Sequence, residues 1–234
     1  MDPVQEDEPF RFLDVAAKET TVALTRANIR HGFIGGYATS LIGGLRMTEA
    51  YTPYIDIDVV VDSDPSEARN MLLQANTRFT ITPSSKLVFL GRDNKPITVE
   101  LLRGGEGRQL KLPDANTTSL RSITANDLPG RVEETPIPII APSVLVLTKL
   151  KRWALIADST RPASIGKAVR DIDDIQVILT WLGNNGSLID FEGYPEKPKH
   201  ELLALVRKLY QIHTTTRPLL AATLNAEDLA LISN

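Results

Sequence analysis

The sequence predicts an α+β protein in which a mixed β-sheet core flanked by helices is followed by a C-terminal helical region. Up to about residue 140, short apolar segments with strand-like alternation are mixed with helical segments and glycine-rich turns. From Pro142 onward, apolar residues recur at the three- and four-residue spacing of amphipathic helices. We therefore expect an α/β core over residues 1–140 and a helical region over residues 141–234 that packs on it.

The composition excludes several classes of function. The chain has 234 residues, of which 42% are hydrophobic and 24% charged, as in ordinary folded proteins. It contains no cysteine, so disulfides, thiolate catalysis and Cys-containing zinc sites are excluded. The net charge of −3 argues against broad attraction to nucleic acid. Because neither a signal-peptide pattern nor a run of roughly 20 apolar residues is present, we expect a cytoplasmic protein with no membrane contact.

The first elements follow from apolar spacing and glycine positions. Apolar residues spaced among charges predict a helix from about Phe10 to Arg30. The next segment predicts a short strand at Gly32–Ile34, a tight loop at Gly35-Gly36 and a helix from Tyr37 to Leu45. Residues 55–61, IDIDVVV, alternate with the period of a strand, which places Asp56 and Asp58 on one face.

The remaining elements are predicted by similar patterns. An Asp-Pro start signal at position 64 predicts a helix of about ten residues. Three β-leaning segments follow, and residues 104–135 predict a loop with a short strand. Amphipathic helices are expected in the last part, with these apolar positions on their buried faces: Leu147, Leu150, Ala154, Ala157, then Ile165, Val169, Ile172, Ile175, Leu179 and Leu182. Further helices are expected from Glu201 and over Ala226–Ile232.

The aspartate pair has the chemistry of a metal site. Two strand residues at i and i+2 lie on one side with α-carbons about 6–7 Å apart. Mg²⁺ prefers carboxylate and phosphate oxygens, and two such ions stabilise both oxygens of an in-line phosphoryl displacement. The alternative interpretation is that Asp56 and Asp58 only form the solvent face of a half-exposed strand.

The glycine pair upstream is the second feature with chemical content. Gly35-Gly36 lies between a short strand and a helix, where free N–H groups and the helix dipole favour an anion. The Ser40 hydroxyl is placed to add a contact. The alternatives are a glycine turn that serves only tight packing and, for Arg46 just past the helix, an ordinary surface residue.

Together these residues resemble the nucleotidyltransferase superfamily with the polymerase-β-like fold, especially its minimal and AbiEii-like members. The matching segments are GGYATSLIGGLRMT, from Gly35 to Thr48, and the strand IDIDVVV. The resemblance implies that Asp56 and Asp58 bind Mg²⁺ or Mn²⁺. It also implies a nucleotide-binding group formed by Gly35, Gly36, Ser40 and Arg46.

The resemblance further implies a third carboxylate on a neighbouring strand that binds the metal with Asp56 and Asp58, and Glu100 in ITVELL is the candidate. Relatives more often have Asp there, where it acts as the base toward the acceptor hydroxyl. The alternative interpretation of Glu100 is a lone exposed glutamate on a strand. A second departure is the insertion Met47–Ile55 before the aspartate strand. By the same analogy, Lys149 is the first candidate for contact with the phosphates, and Lys151 and Lys167 are further candidates. The alternative for all three lysines is a solvent-exposed helix face.

The predicted function is Mg²⁺-dependent transfer of a nucleoside monophosphate from an NTP to an acceptor hydroxyl, with release of pyrophosphate. The acceptor is left open between a small molecule, a protein and RNA. The alternative is a catalytically inactive nucleotide-binding or protein-interaction module on the same fold.

Overall fold

The structure is a computed structural model that describes residues 8–44, 55–91, 94–105, 107–128, 131 and 133–233. Arg46 and residues 47–54 of the predicted insertion lie outside the described residues. The contacts divide the chain into two units, Met1–Ile140 and Ala141–Asn234.

The first unit is built on a mixed seven-stranded sheet with the order β3-β4-β5-β2-β1-β7-β6. Its strands are β1 (His31–Ile34), β2 (Ile55–Val61), β3 (Phe79–Ile81), β4 (Leu87–Leu90), β5 (Pro96–Arg103), β6 (Leu120–Thr124) and β7 (Pro136–Ile140). The central pair β2 and β5 is parallel, whereas β2 and β1 are antiparallel. This sheet and the helical second unit confirm the predicted α+β class.

The described part of the first unit contains three α-helices: α1 (Glu8–Arg26), α2 (Gly35–Ser40) and α3 (Pro65–Ala75). Helices α1 and α3 contact each other and both contact β5. The apolar positions of β2, Ile57, Val59 and Val61, are buried, as the alternation predicts. Helix α3 begins where expected, because the Asp64 carboxylate accepts a hydrogen bond of 2.8 Å from the Ser66 N–H.

The second unit contains five helices among its described residues: α4 (Pro142–Ile156), α5 (Pro162–Asn184), α6 (Lys199–Ile212), α7 (Arg217–Thr223) and α8 (Ala226–Ser233). Its core includes Leu147, Leu150, Trp153, Ile175 and Leu179, all of which are buried. Within the described part of the chain, none of the helices combines the length and the apolar character needed to cross a bilayer.

The structure corrects some of the predicted elements. Gly35-Gly36 is the start of helix α2 and not a separate loop, because the positive φ of Gly35 (72°) joins β1 directly to the helix. This helix ends at Ser40 instead of continuing to Leu45. On α5, Ile165 and Val169 are 48% and 58% exposed, so the buried face begins only at the next turn. The short helix α7 was not predicted.

Candidate active site

The pairing of β2 with β5 places the three predicted carboxylates on one face of the sheet. In this parallel pair Asp56 lies opposite Thr98, and Asp58 lies opposite Glu100. Residues directly opposite each other on adjacent strands point to the same side, with the strands about 4.8 Å apart. Glu100 is therefore the immediate neighbour of Asp58 across the ladder, and Asp56 follows two residues away on the same face.

The pairing of β1 with β2 brings the glycine segment against the same aspartate. Ile34 lies opposite Asp58, and Gly35 follows directly. A Cβ atom added at Gly35 would overlap the carboxylate oxygen Oδ2 of Asp58. Glycine is therefore favoured at position 35 for two reasons, its positive φ and the space taken by the Asp58 carboxylate. Gly36, the next residue of α2, is half-exposed.

The carboxylates differ in exposure. Asp56 and Glu100 are exposed, while Asp58 is half-buried beside Gly35. Asp56 and Glu100 also line a common cleft with a volume of about 390 Å³. Its other polar side chains are Arg69, Ser85, Lys86 and Thr98. A ligand that enters this cleft meets both carboxylates.

The donor set fits a hard divalent cation that a nucleotide would help to coordinate. In the described segments no three His, Asp or Glu side chains are gathered closely enough to hold an ion by themselves. Mg²⁺ in nucleotide enzymes is usually held by one or two carboxylates, with phosphate oxygens and waters completing the octahedron. Asp56 and Asp58, two oxygen donors on one strand face, meet that requirement.

Ser40 is buried and its hydroxyl is already engaged within the first unit. Its Oγ donates a hydrogen bond of 2.7 Å to the Tyr37 carbonyl and accepts one of 3.2 Å from Nη1 of Arg131. The same guanidinium nitrogen also donates to the Ser40 carbonyl at 3.2 Å. These contacts fix the end of α2, and the contact between Ser40 and a triphosphate stays a prediction.

A buried ion pair that has no recognisable signal in the sequence supports α2. Arg131 donates to Asp14 with both Nε, at 2.9 Å, and Nη2. The Tyr37 hydroxyl donates to the same carboxylate at 3.0 Å. Burial, together with the charge of Asp14, raises the pKa of Tyr37 well above its ordinary value, so Tyr37 remains a donor. Asp14 and Arg131 are 117 residues apart, and neither lies in a recognisable motif.

Lys149 lies in the interior of the helical unit. Its Nζ contacts Asp174 Oδ2 at 2.5 Å, and both side chains are almost completely buried. Burial lowers the pKa of Lys149, and the charge of Asp174 opposes that shift. One turn along the same two helices, Arg152 forms a second ion pair with Asp171. These four residues link α4 to α5, and a role of Lys149 toward phosphates stays a prediction.

No protein-family model matches the sequence, and no curated protein is similar enough to count as a match. Similarity appears at the level of structure. The chain aligns over its full length with the full length of an antigenic nucleotidyltransferase-like protein from Paracoccidioides brasiliensis, at 18% identity and a TM-score of 0.67. The chain therefore has a nucleotidyltransferase-like fold.

Two further solved structures are more distant. The antibiotic-resistance factor ANT(2'')-Ia aligns at 12% identity and a TM-score of 0.44, over 87% of this chain and 95% of its own. The lincosamide antibiotic adenylyltransferase LnuA aligns at 13% identity and a TM-score of 0.33, over 74% of this chain and 99% of its own. At such low scores, neither adds to the conclusion about the fold.

Proposed function

We propose that this chain is a Mg²⁺-dependent nucleotidyltransferase that transfers a nucleoside monophosphate from an NTP to an acceptor hydroxyl and releases pyrophosphate. The observation that carries the proposal is the position of Asp58. Asp58 lies between Gly35, which directly follows β1, and Glu100 on β5. The fold that holds these residues is nucleotidyltransferase-like. The motif around Gly35 favours the minimal or AbiEii-like group within that fold.

Each residue has a distinct role in the proposed reaction. Asp56 and Asp58 hold the Mg²⁺ or Mn²⁺ ion, which neutralises phosphate charge when bound. The N–H groups of Gly35 and Gly36 bind the triphosphate. Glu100 accepts the proton of the acceptor hydroxyl while the oxygen of that hydroxyl forms a bond to the α-phosphorus. The bond from that phosphorus to the bridging oxygen breaks, and pyrophosphate leaves.

The exposure of these side chains suits their roles. Glu100 is exposed and lines the cleft, so an acceptor hydroxyl has access to it. Asp58 is half-buried and its carboxylate lies against Gly35, at the end of the glycine segment that is proposed to bind the triphosphate. Transfer to an external acceptor requires a base that the acceptor hydroxyl can reach.

The test is to incubate the full chain with each radiolabelled NTP and Mg²⁺, with and without cell extract, and to measure label transfer and pyrophosphate. Asp58→Asn removes the central ligand while keeping its size. Asp62→Asn makes the same change just past the end of β2, about four residues or roughly 13 Å away. We expect activity in the wild type and in Asp62→Asn and its loss in Asp58→Asn. Equal activity in the two variants would overturn the proposal.

The inactive nucleotide-binding module is the second candidate. It is favoured by one departure from the family pattern, the glutamate Glu100 at the position where relatives more often have Asp. This candidate requires NTP binding that depends on a divalent cation but yields no pyrophosphate with any of the four NTPs. Pyrophosphate release that Asp58→Asn abolishes would exclude it.

A further inference from the structure

Two cations line the cleft beside the carboxylates, and neither belongs to the predicted site. Arg69 extends from α3, and Lys86 directly precedes β4. The Nε atom of Arg69 is buried and makes no hydrogen bond to any described residue. A buried guanidinium N–H without an acceptor is costly, so Arg69 is a cation at the wall of the cleft whose donors the described residues leave partly unsatisfied.

The order of the strands separates these cations from the glycine segment. Across the sheet the order is β4, β5, β2, β1. Lys86 therefore lies on the Glu100 side of the aspartates, whereas Gly35 lies on the opposite side, at the end of β1. In an in-line displacement the attacking and leaving oxygens are on opposite sides of the phosphorus. With pyrophosphate leaving beside Gly35, the acceptor enters on the side of Glu100 and Lys86.

We propose that Arg69, Lys86 and Ser85 form an acceptor subsite for a phosphorylated hydroxyl compound; this inference rests on the proposed function. Arginine binds phosphate oxygens through parallel N–H bonds, and a serine hydroxyl adds a further donor. Arg69 and Lys86 bring two positive charges to a cleft that Asp56 and Glu100 also line. A cleft of about 390 Å³ accommodates a small molecule such as a sugar phosphate or a nucleotide.

Calorimetric titration of the full chain tests this subsite without any turnover. The probes are two matched pairs, ribose 5-phosphate with ribose and AMP with adenosine, so that sugar phosphates and nucleotides are distinguished. The variants are Arg69→Gln and, as a control, Arg26→Gln, which changes an exposed helical arginine of the same unit outside the cleft. Thermal melting checks that each variant folds, and Lys86→Gln replaces Arg69→Gln if that variant does not.

We expect the phosphorylated member of at least one pair to bind at least roughly ten-fold more tightly than its partner, since its phosphate gains charge-assisted bonds. Arg69→Gln should remove most of this preference, and Arg26→Gln should leave it intact. Equal binding within both pairs, or equal effects of the two variants, would overturn the inference. The inference would also be overturned if Arg69→Gln weakened the binding of NTP but left the binding of the phosphorylated probes unchanged.

A pyrophosphate assay on the same proteins separates this inference from the proposed function. Pyrophosphate release without preference for phosphorylated probes overturns the subsite alone. Preference for phosphorylated probes without pyrophosphate release from any NTP overturns the reaction and, with it, the acceptor role of Arg69.

Discussion

Gly35 packs directly against the carboxylate of Asp58, leaving no room for a side chain between them. The contact joins the first residue of α2 to the central strand β2. It explains why a glycine at the strand-to-helix junction and an aspartate 23 positions later belong to the same site, since the antiparallel pairing of β1 with β2 brings them together.

Replacing Gly35 by alanine tests this contact. A non-glycine residue at φ 72° costs about 1–3 kcal/mol, and the new methyl group also displaces the Asp58 carboxylate. Gly107→Ala is the matched control, because Gly107 has φ 81° but no atom within 4 Å of an added Cβ. Urea unfolding should show a larger loss of stability for Gly35→Ala than for Gly107→Ala.

A double-mutant cycle identifies the source of the difference. In an Asp58→Ala background the overlapping oxygen is absent, so Gly35→Ala should lose less stability than it does in the wild type. A penalty that is the same in both backgrounds would show that Asp58 does not occupy the space beside Gly35.

Breaking the buried pair of Asp14 and Arg131 should strongly destabilise the first unit. Removing one member leaves the other charge buried, which typically costs about 3–5 kcal/mol. We expect Asp14→Ala to lower the free energy of unfolding by that amount. Lys18→Ala, which removes a partly exposed ion pair with Glu133, should cost about 1 kcal/mol or less. Similar losses in the two variants would contradict the burial of the pair.

Lys149 and Asp174 provide a second buried pair, now in the helical unit. Lys149→Met should destabilise the protein by about 3–5 kcal/mol, because Asp174 is left without its counter-charge. The double variant Lys149→Met/Asp174→Leu should recover most of that loss in urea unfolding. If the double variant is no more stable than the single one, the pair does not account for the cost. Titration of the double variant with NTP then tests the predicted contact between Lys149 and the phosphates. If that contact exists, the double variant binds NTP more weakly than the wild type does.

His31 should make stability dependent on pH. Burial lowers its pKa, although the Ile29 carbonyl and the charge of Asp62 oppose that shift. As the pH falls below about 6.5, the unfolded chain therefore binds a proton that the folded chain does not, and stability decreases until the folded pKa is reached. The free energy of unfolding, measured for the wild type and His31→Leu as the pH falls below about 6.5, should decrease less in the variant. The exposed control His200→Leu should keep the wild-type slope, and a wild-type slope in His31→Leu would contradict the account.

Local patterns were sufficient to predict the central strand and the carboxylates. The alternation in IDIDVVV specifies both the strand and the common face of Asp56 and Asp58, because side chains of a strand alternate between faces. The start of α3 also follows from local chemistry, since Asp64 caps the helix in the manner that the Asp-Pro signal indicates.

The remaining features depend on contacts between distant segments. The place of Glu100 opposite Asp58 is a matter of strand register, which the isolated segment ITVELL does not specify. Arg131 reaches Asp14 across 117 residues from a segment without periodicity. The exposure of Ile165 and Val169 departs from the prediction because helical spacing continues beyond the part of α5 that packs.

Asp58, which lies against Gly35 and in register with Glu100, is proposed to bind a metal–nucleotide complex. The most direct measurement is equilibrium binding of a non-hydrolysable NTP analogue to the wild type, Asp58→Asn and Asp62→Asn, each with Mg²⁺ and with EDTA. We expect tight binding that depends on Mg²⁺ in the wild type and Asp62→Asn, and a loss of roughly ten-fold or more in Asp58→Asn, as for one removed charge-assisted ligand. Binding that is indifferent to Mg²⁺, or equal in wild type and Asp58→Asn, would contradict the claim.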